Sequence, residues 1–571
     1  MKMKIHIIKI SAVCSILALA AGCSSFLEED LKSSLAPDNT YTSTMGFEVG
    51  STGLYSIARS EYNTWGEQGA FMHNGACSYE ALQIATDICL QSGAKDGSLT
   101  PFADLNMTST TGFVGSYWNW SYSLINSANE LLLYSDRNDN WDYPTDKALY
   151  QAEARFFRAY GYRTLVYLYG DVPWVETIKQ PFELNFTRDP KEEVLGHIID
   201  DLRFASENLP ENPDEVKVGK LTRWAAYHLL AEMYNYRGWM TGNTADFEEA
   251  EKCALAVIES GYFELVKARY GAAKNDPGDY YSDLFVENNQ NRTSGNRESI
   301  WVMQFEYKTT GGGTPSDDWT RRAWGPQYHS ITGFFTPSAE LGGRGLGQIA
   351  PMKWWIGIKN TNATNMADKS DPEPEIESEN ITDNGIFEAD DIRNSEYNIK
   401  REWLGNIEPN VGVRCMITDN FWYLGHLYPS IVKFHYAHAD DVTETGSYKD
   451  RMKFRLAETY LLLAEAYLGQ NDPASAADAV NEVRNRAKAS SVSADEMDID
   501  YLLDERIREL IGEESRRFTL VRFGADVYVD RVKKHNKHLT DVVDEHHALW
   551  PIPQSIRDAN RDVEFPQNPG Y

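Results

Sequence analysis

Two eight-residue stretches, 233 positions apart, constrain this chain more than anything else in it. Tyr227 to Tyr234 reads YHLLAEMY and Tyr460 to Tyr467 reads YLLLAEAY, identical at six of eight positions. In the first, Ala226, Leu229, Leu230, Met233 and Tyr234 recur at i, i+3, i+4, i+7 and i+8. That is the stripe of a helix facing a core, and Thr222 stands where an N-cap would. In the second, a partner helix follows Asn471-Asp472-Pro473 and lays Ala476, Val480, Val483 and Ala487 on one face. Small residues there let two helix axes come close, so each copy is read as the opening of a helix hairpin.

The alternation of Ala with Leu and Tyr in paired helices resembles tetratricopeptide repeats. Because the copies lie far apart, the expected fold is mainly α, a scaffold of tetratricopeptide-like hairpins with large insertions. Further helices are expected at about 113–134, 147–169, 191–207, 246–260 and 500–512. Between 262 and 445 the helical period fades into Gly, Asn, Asp and aromatic residues, with Gly311-Gly312-Gly313 and an acidic stretch from Asp368 to Asp391. Loops and short strands are expected there, folded as a lobe on the helices. The organisation is therefore a leader (1–22), a tether (23–45), an N-terminal helical region (46–261), the loop-rich lobe (262–445) and a C-terminal helical region (446–571).

The leader has its own chemistry. Lys2, Lys4 and Lys9 precede an apolar run from Ile10 to Ala21, and Gly22-Cys23 closes it like a bacterial lipoprotein processing site. Cys23 is the expected lipidated N-terminus, since several acyl chains together anchor a protein stably. The apolar run is too short to span a bilayer. Loss of three lysines with the leader takes the net charge from −30 to −33. Such a surface repels polyanions, and no basic run is dense enough to bind nucleic acid. Cys77, Cys89, Cys253 and Cys415 are too scattered for a disulfide scaffold or a zinc spacing, although Cys77 and Cys89 leave one bridge open.

Catalytic and cofactor signatures fail on inspection, so no cofactor or metal is expected. Gly345-Leu346-Gly347-Gln348-Ile349-Ala350 fits G-x-G-x-x-A but lacks a preceding strand and a βαβ context. Asp136, Asn138 and Asn140 imitate a calcium loop, yet Trp141 holds the Gly position and Lys147 that of the terminal Glu. His546-His547 beside Glu545 is not H-E-x-x-H and is read as a packed or solvated pair.

Other segments carry a resemblance. Glu153 to Tyr160 running into Gly170-Asp171-Val172-Pro173 is similar to a hallmark of the SusD/RagB family of outer-membrane nutrient-binding lipoproteins. Arg455-Leu456-Ala457-Glu458, Asn481 to Ala487, Glu505-Arg506 to Glu509-Leu510, Glu513 to Arg517, Pro551-Ile552-Pro553 and the ending Gln567 to Tyr571 agree in order. Ser24 to Asp30 resembles the family's acidic start, which looks like the signal for the outer face of the membrane. The long insertion near 359–395 departs from the pattern. The resemblance implies a SusD-like fold and a surface-exposed, lipid-anchored, non-catalytic protein. It would capture an oligo- or polysaccharide and deliver it to a SusC-like TonB-dependent transporter.

Sugars offer apolar C–H faces ringed by hydroxyls, so a binding surface needs flat aromatic platforms beside Asp, Asn, Gln or Arg. Trp118, Trp120, Trp224, Trp239 and Trp301 are assigned to packing by their helical or strand-like settings. The loop residues Asp318, Trp319, Arg321, Trp324 and Tyr328, with Trp65 from the N-terminal half, are the candidate ligand contacts; Trp354 and Trp355 are weaker ones. A polysaccharide-degrading surface enzyme and a tetratricopeptide-type envelope scaffold are the competing readings. Cys23→Ala is expected to abolish fatty-acid labelling and release the protein from the membrane fraction; unchanged attachment contradicts the anchor.

Overall fold

The computed structural model describes residues 37–62, 77–93, 97–178, 185–313, 318–358, 381–438, 440–444 and 446–571. Cys23 and Trp65 lie outside them, as does most of the long insertion. Eleven longer helices form the scaffold among the described residues. They are α1 (Thr44–Arg59), α2 (Gly112–Arg137), α3 (Asp146–Tyr169), α4 (Lys191–Asn208), α5 (Arg223–Thr241), α6 (Thr244–Ile258), α7 (Leu456–Gly469), α8 (Pro473–Arg486), α9 (Ile499–Leu510), α10 (Arg516–Phe523) and α11 (Ala525–His535). Each of α2 to α6 packs on the next, as short connections between helices favour. Helix α7 then docks on α6 and α5, so the array resumes across the whole intervening lobe. None of these helices is long and apolar enough to cross a membrane.

Both hairpins expected from the repeat are present, and they pack on each other. Phe247 of α6 lies where neither Gly238 of α5 nor Gly469 of α7 has a side chain; a Cβ at either would fall 2.8 or 2.3 Å from its ring. Glu232 and Glu465, equivalent in the two repeats, meet the same cation. Arg522 of α10 grips Glu465 at 2.8 Å and reaches Glu232 at 3.6 Å, while Arg163 of α3 holds Glu232 at 2.8 Å. Asp472 caps α8 by accepting from Ser475 N at 3.0 Å, with Pro473 in its first turn. Thr222 precedes α5 in extended geometry, but its hydroxyl makes no capping bond; the backbone of Thr222 starts the helix while its side chain is buried away from the first turn.

Among the described residues the lobe consists of loops, single helical turns and six short strands, and one further strand from each helical region pairs with it. Strand β1 (Cys89–Gln91) pairs antiparallel with β3 (Ile349–Pro351), and β2 (Ser299–Met303) with β8 (Arg451–Arg455). The pairs β4 (Ile399–Lys400) with β7 (Ser430–Ile431) and β5 (Trp403–Leu404) with β6 (Arg414–Cys415) are internal to it. The first two pairs tie the lobe to both helical regions, and one continuous apolar core runs from Phe47 to Phe565. Trp301 is buried in β2, as its setting indicated. The four described cysteines are buried and free, so Cys77 and Cys89 do not pair.

A buried ionic network fastens this junction. Arg455, at the end of β8, contacts Glu298 at 2.8 Å, Glu509 at 2.5 Å and Glu513 at 2.6 Å. Arg486 of α8 bonds Glu298 at 3.0 Å and also Glu509. From the lobe, Arg393 reaches Glu505 at 2.7 Å and Glu509 at 3.0 Å, and Lys433 reaches Glu513 at 2.5 Å. Burial alone would raise the Glu505 carboxyl, but Arg393, Arg508 and Arg484 outweigh it and hold it at about 2. Glu509 is held still lower by Arg486, Arg455 and Arg393 against the same burial. A carboxyl depressed in the folded state contributes stability above its unfolded value, near 4.5, and loses it as pH falls through the folded one. Thermal stability is therefore expected to decline from about pH 5 downward. Glu509→Gln strands several buried arginines and should cost about 3–5 kcal/mol of unfolding free energy at neutral pH. Denaturant unfolding checks both; a Glu509→Gln protein as stable as wild type contradicts the network.

Candidate glycan-facing surface

The surface begins where β2 leaves the core. Phe305 N donates to Asp450 Oδ1 at 2.7 Å, and Glu306 N donates to Gly312 O at 2.7 Å, closing a short loop. Gly311 and Gly313 sit at φ 79° and 103°, backbone that a side chain would strain. Arg59, ending α1, donates to Gln304 O at 3.0 Å and Gly311 O at 3.3 Å and fixes the loop to the scaffold. Its tip presents Tyr307 and Lys308.

A second loop faces it. His438 stacks on Tyr307 with ring centroids 3.5 Å apart and planes at 8°, and Tyr448 meets Tyr307 edge-on at 5.2 Å. Lys308 Nζ lies 4.9 Å from the Tyr307 ring centre and 3.8 Å from Asp441. The Tyr307 hydroxyl and Asp441 raise the Lys308 ammonium above its usual value, so it remains a cation. Tyr307 and His438 are half-buried and Lys308 is exposed. A flat aromatic pair with a cation and a carboxylate at its edge suits the C–H face and hydroxyl rim of a sugar.

The five described loop residues singled out from sequence lie together, but beneath this surface. Arg321 is buried and donates to the carbonyls of Tyr436, Glu444 and Gly446, the last at 2.7 Å. It thereby clamps the loop that carries His438. Burial pushes its guanidinium down to about 10, which leaves it charged at neutral pH. Asp318 accepts from Thr320 N at 2.9 Å, pairs with Arg451 at 3.4 Å, and its carbonyl receives Ser447 N. Trp324, 1% exposed, donates to Tyr79 Oη at 3.0 Å and stacks near Phe434. Tyr328 donates to Gly343 O, and Trp319 lies under the Arg322 guanidinium at 3.6 Å. The expectation of exposed platforms at these positions is corrected: a polar, Gly-flanked loop context did not reveal that the loop is covered. Trp354 and Trp355 are buried too, each donating to a backbone carbonyl at 2.6 Å.

Tyr307, Lys308 and His438 were missed. The available signal was position: Tyr307-Lys308 follows the run Ile300 to Phe305 after one glutamate and stands shortly before three glycines. His438 carries no local signal, since its partner is 131 positions away.

A second hollow, of about 300 Å³, opens on the helical side between Trp118, Tyr122, Asn129, Phe186, Asn560 and Phe565. Apart from the exposed Asn126 at its rim, its polar side chains are already engaged. Asn129 donates to Val175 O and accepts from Arg158, Asn560 accepts from Phe186 N and donates to Phe186 O and Val563 O, and Tyr122 donates to Pro173 O. Sugar hydroxyls would find few partners there.

The sequence profile described as "SusD family" (SusD/RagB) matches residues 297–571, and one described as "Starch-binding associating with outer membrane" matches residues 78–235. The chain belongs to the SusD/RagB family. It is 26% identical over 554 residues to SusD-like protein P25 of Formosa agariphila, covering 93% of each chain. It is 26% identical over 547 residues to the starch-binding protein SusD of Bacteroides thetaiotaomicron, covering 89% of this chain and 86% of that one. The fold is similar to surface glycan-binding protein A from Bacteroides thetaiotaomicron in complex with laminarihexaose, with a TM-score of 0.63 and 16% identity over 92% of this chain and 100% of that one. The mainly helical, SusD-like fold expected from the sequence is thus the fold observed.

Trp324→Ala empties a core site and is expected to cost about 3–5 kcal/mol, read as a lowered melting temperature. Unchanged melting with selectively lost glycan binding would return Trp324 to the ligand surface.

Proposed function

We propose that this protein binds an oligo- or polysaccharide at the cell surface, without cleaving it, and passes it to a SusC-like TonB-dependent transporter. Family membership along most of the chain supports the reading, together with relatives named as starch-binding and as complexed with laminarihexaose. The observation that carries it in this chain is the Tyr307–His438 stack with Lys308 and Asp441 at its edge. A lipid at Cys23 would hold the protein on the outer membrane. The helix array offers a broad, rigid face for the transporter while the lobe stays open to ligand.

An aromatic stacking contact contributes about 0.5–1.5 kcal/mol beyond buried area, and one decade of affinity is about 1.4 kcal/mol. Tyr307→Ala is therefore expected to weaken binding of a glycan selected from a panel by about tenfold or more, with little change in melting temperature. Calorimetric titration measures it, and wild-type affinity in this variant would reject the surface. The same mixtures should release no reducing sugar. Turnover removed by a single carboxylate substitution would favour the enzyme reading instead.

A further inference from the structure

We propose that Asp544, His546 and His547 form a binding site for a borderline transition-metal dication, Zn²⁺ in the first instance. The three sit on one tight turn, the single-turn helix Glu545–Ala548 and the residue before it, remote in the chain from the lobe. One ligand atom from each lies within 4.8 Å of the other two, and no other such group of three His, Cys, Asp or Glu occurs among the described residues.

The donors stand close enough together for a small ion to replace the hydrogen bonds that join them. Zinc–nitrogen and zinc–oxygen bonds of about 2.0–2.2 Å place tetrahedral donors roughly 3.3–3.5 Å apart. Asp544 Oδ1 lies 3.5 Å from His547 Nδ1, and His546 Nδ1 hydrogen-bonds the same carboxylate oxygen. His547 Nδ1 accepts a bond from Asp544 N at 3.1 Å, so this nitrogen carries a lone pair and not a proton, and a bound ion would take that lone pair from the backbone N–H.

The rings are held in place as well. His547 is 5% exposed. His546 lies against it at a centroid distance of 3.7 Å and meets Tyr571 at 5.2 Å. Gly570, at φ 93°, approaches so closely that a Cβ there would fall 2.5 Å from His546 Cδ2. Asp544 stays open to solvent, which gives an ion an entry path and leaves a coordination position for water. Two imidazoles and a carboxylate favour Zn²⁺, Cu²⁺ or Ni²⁺ over Mg²⁺ or Ca²⁺, which prefer all-oxygen shells. Bound metal would stiffen the turn after α11, against which Tyr571 packs with its Oη donating to Leu549 O at 2.8 Å.

Tag-free mature protein, stripped with chelator, is titrated with Zn²⁺ by calorimetry and with Co²⁺ by visible absorbance. The expected result is one equivalent bound, Co²⁺ bands of a low-coordinate N/O site, and a melting temperature raised by about 2 °C at a hundredfold excess over Kd. Asp544→Asn preserves a capping side chain, and His546→Ala removes a half-buried ring at the surface of the turn, so both should fold. Each is expected to weaken Zn²⁺ binding at least tenfold. No binding at 1 mM metal, or wild-type affinity in both variants, overturns the site.

Discussion

The lobe and the helices are one body because Arg455 and Glu509 are charged, buried and matched. Arg455 closes β8 and opens α7, so it stands where the lobe hands the chain back to the scaffold. Its guanidinium also donates to Glu509 O at 2.7 Å, a bond that depends on where α9 ends. Arg393 and Lys433 bring the lobe's own cations to the same acids. Buried ion pairs add little net stability compared with apolar packing, but a misplaced partner leaves an uncompensated charge. The network therefore acts chiefly as a register: few arrangements of strand, helix and lobe satisfy all its members at once.

The same economy governs the ligand side. Arg321 and Asp318 serve as fasteners under the loop that carries His438, so the proposed binding chemistry and the loop anchoring would be divided between a surface layer and a buried one. That division explains why many aromatic and charged residues crowd this region while few of them face solvent. The clamp beneath keeps the outer rings of Tyr307 and His438 stacked.

Much of the scaffold was legible in the sequence. Helical period placed α2, α3, α4, α6 and α9 to within a few residues, and the YHLLAEMY and YLLLAEAY copies marked two hairpins that meet in space. The segments that carried the family resemblance, around Arg455, Arg486, Glu505, Glu509 and Glu513, turn out to be members of the ionic network. What periodicity could not supply was pairing. Nothing near Glu232 announces Arg522, and nothing near Tyr307 announces His438, because each contact spans more than a hundred residues. Burial in the lobe was illegible for a related reason. Without a period of 2 or 3.6, an aromatic residue in a Gly-rich loop reads the same whether it faces water or Phe434.

A crystal structure with a bound oligosaccharide tests the central claim most directly. Sugar rings lying against the Tyr307–His438 pair, with hydroxyls within hydrogen-bond reach of Lys308 or Asp441 and with Trp324 still buried, are the predicted result. A ligand seated instead in the hollow between Trp118 and Phe565, or reached only by turning Trp319 and Trp324 outward, would contradict it.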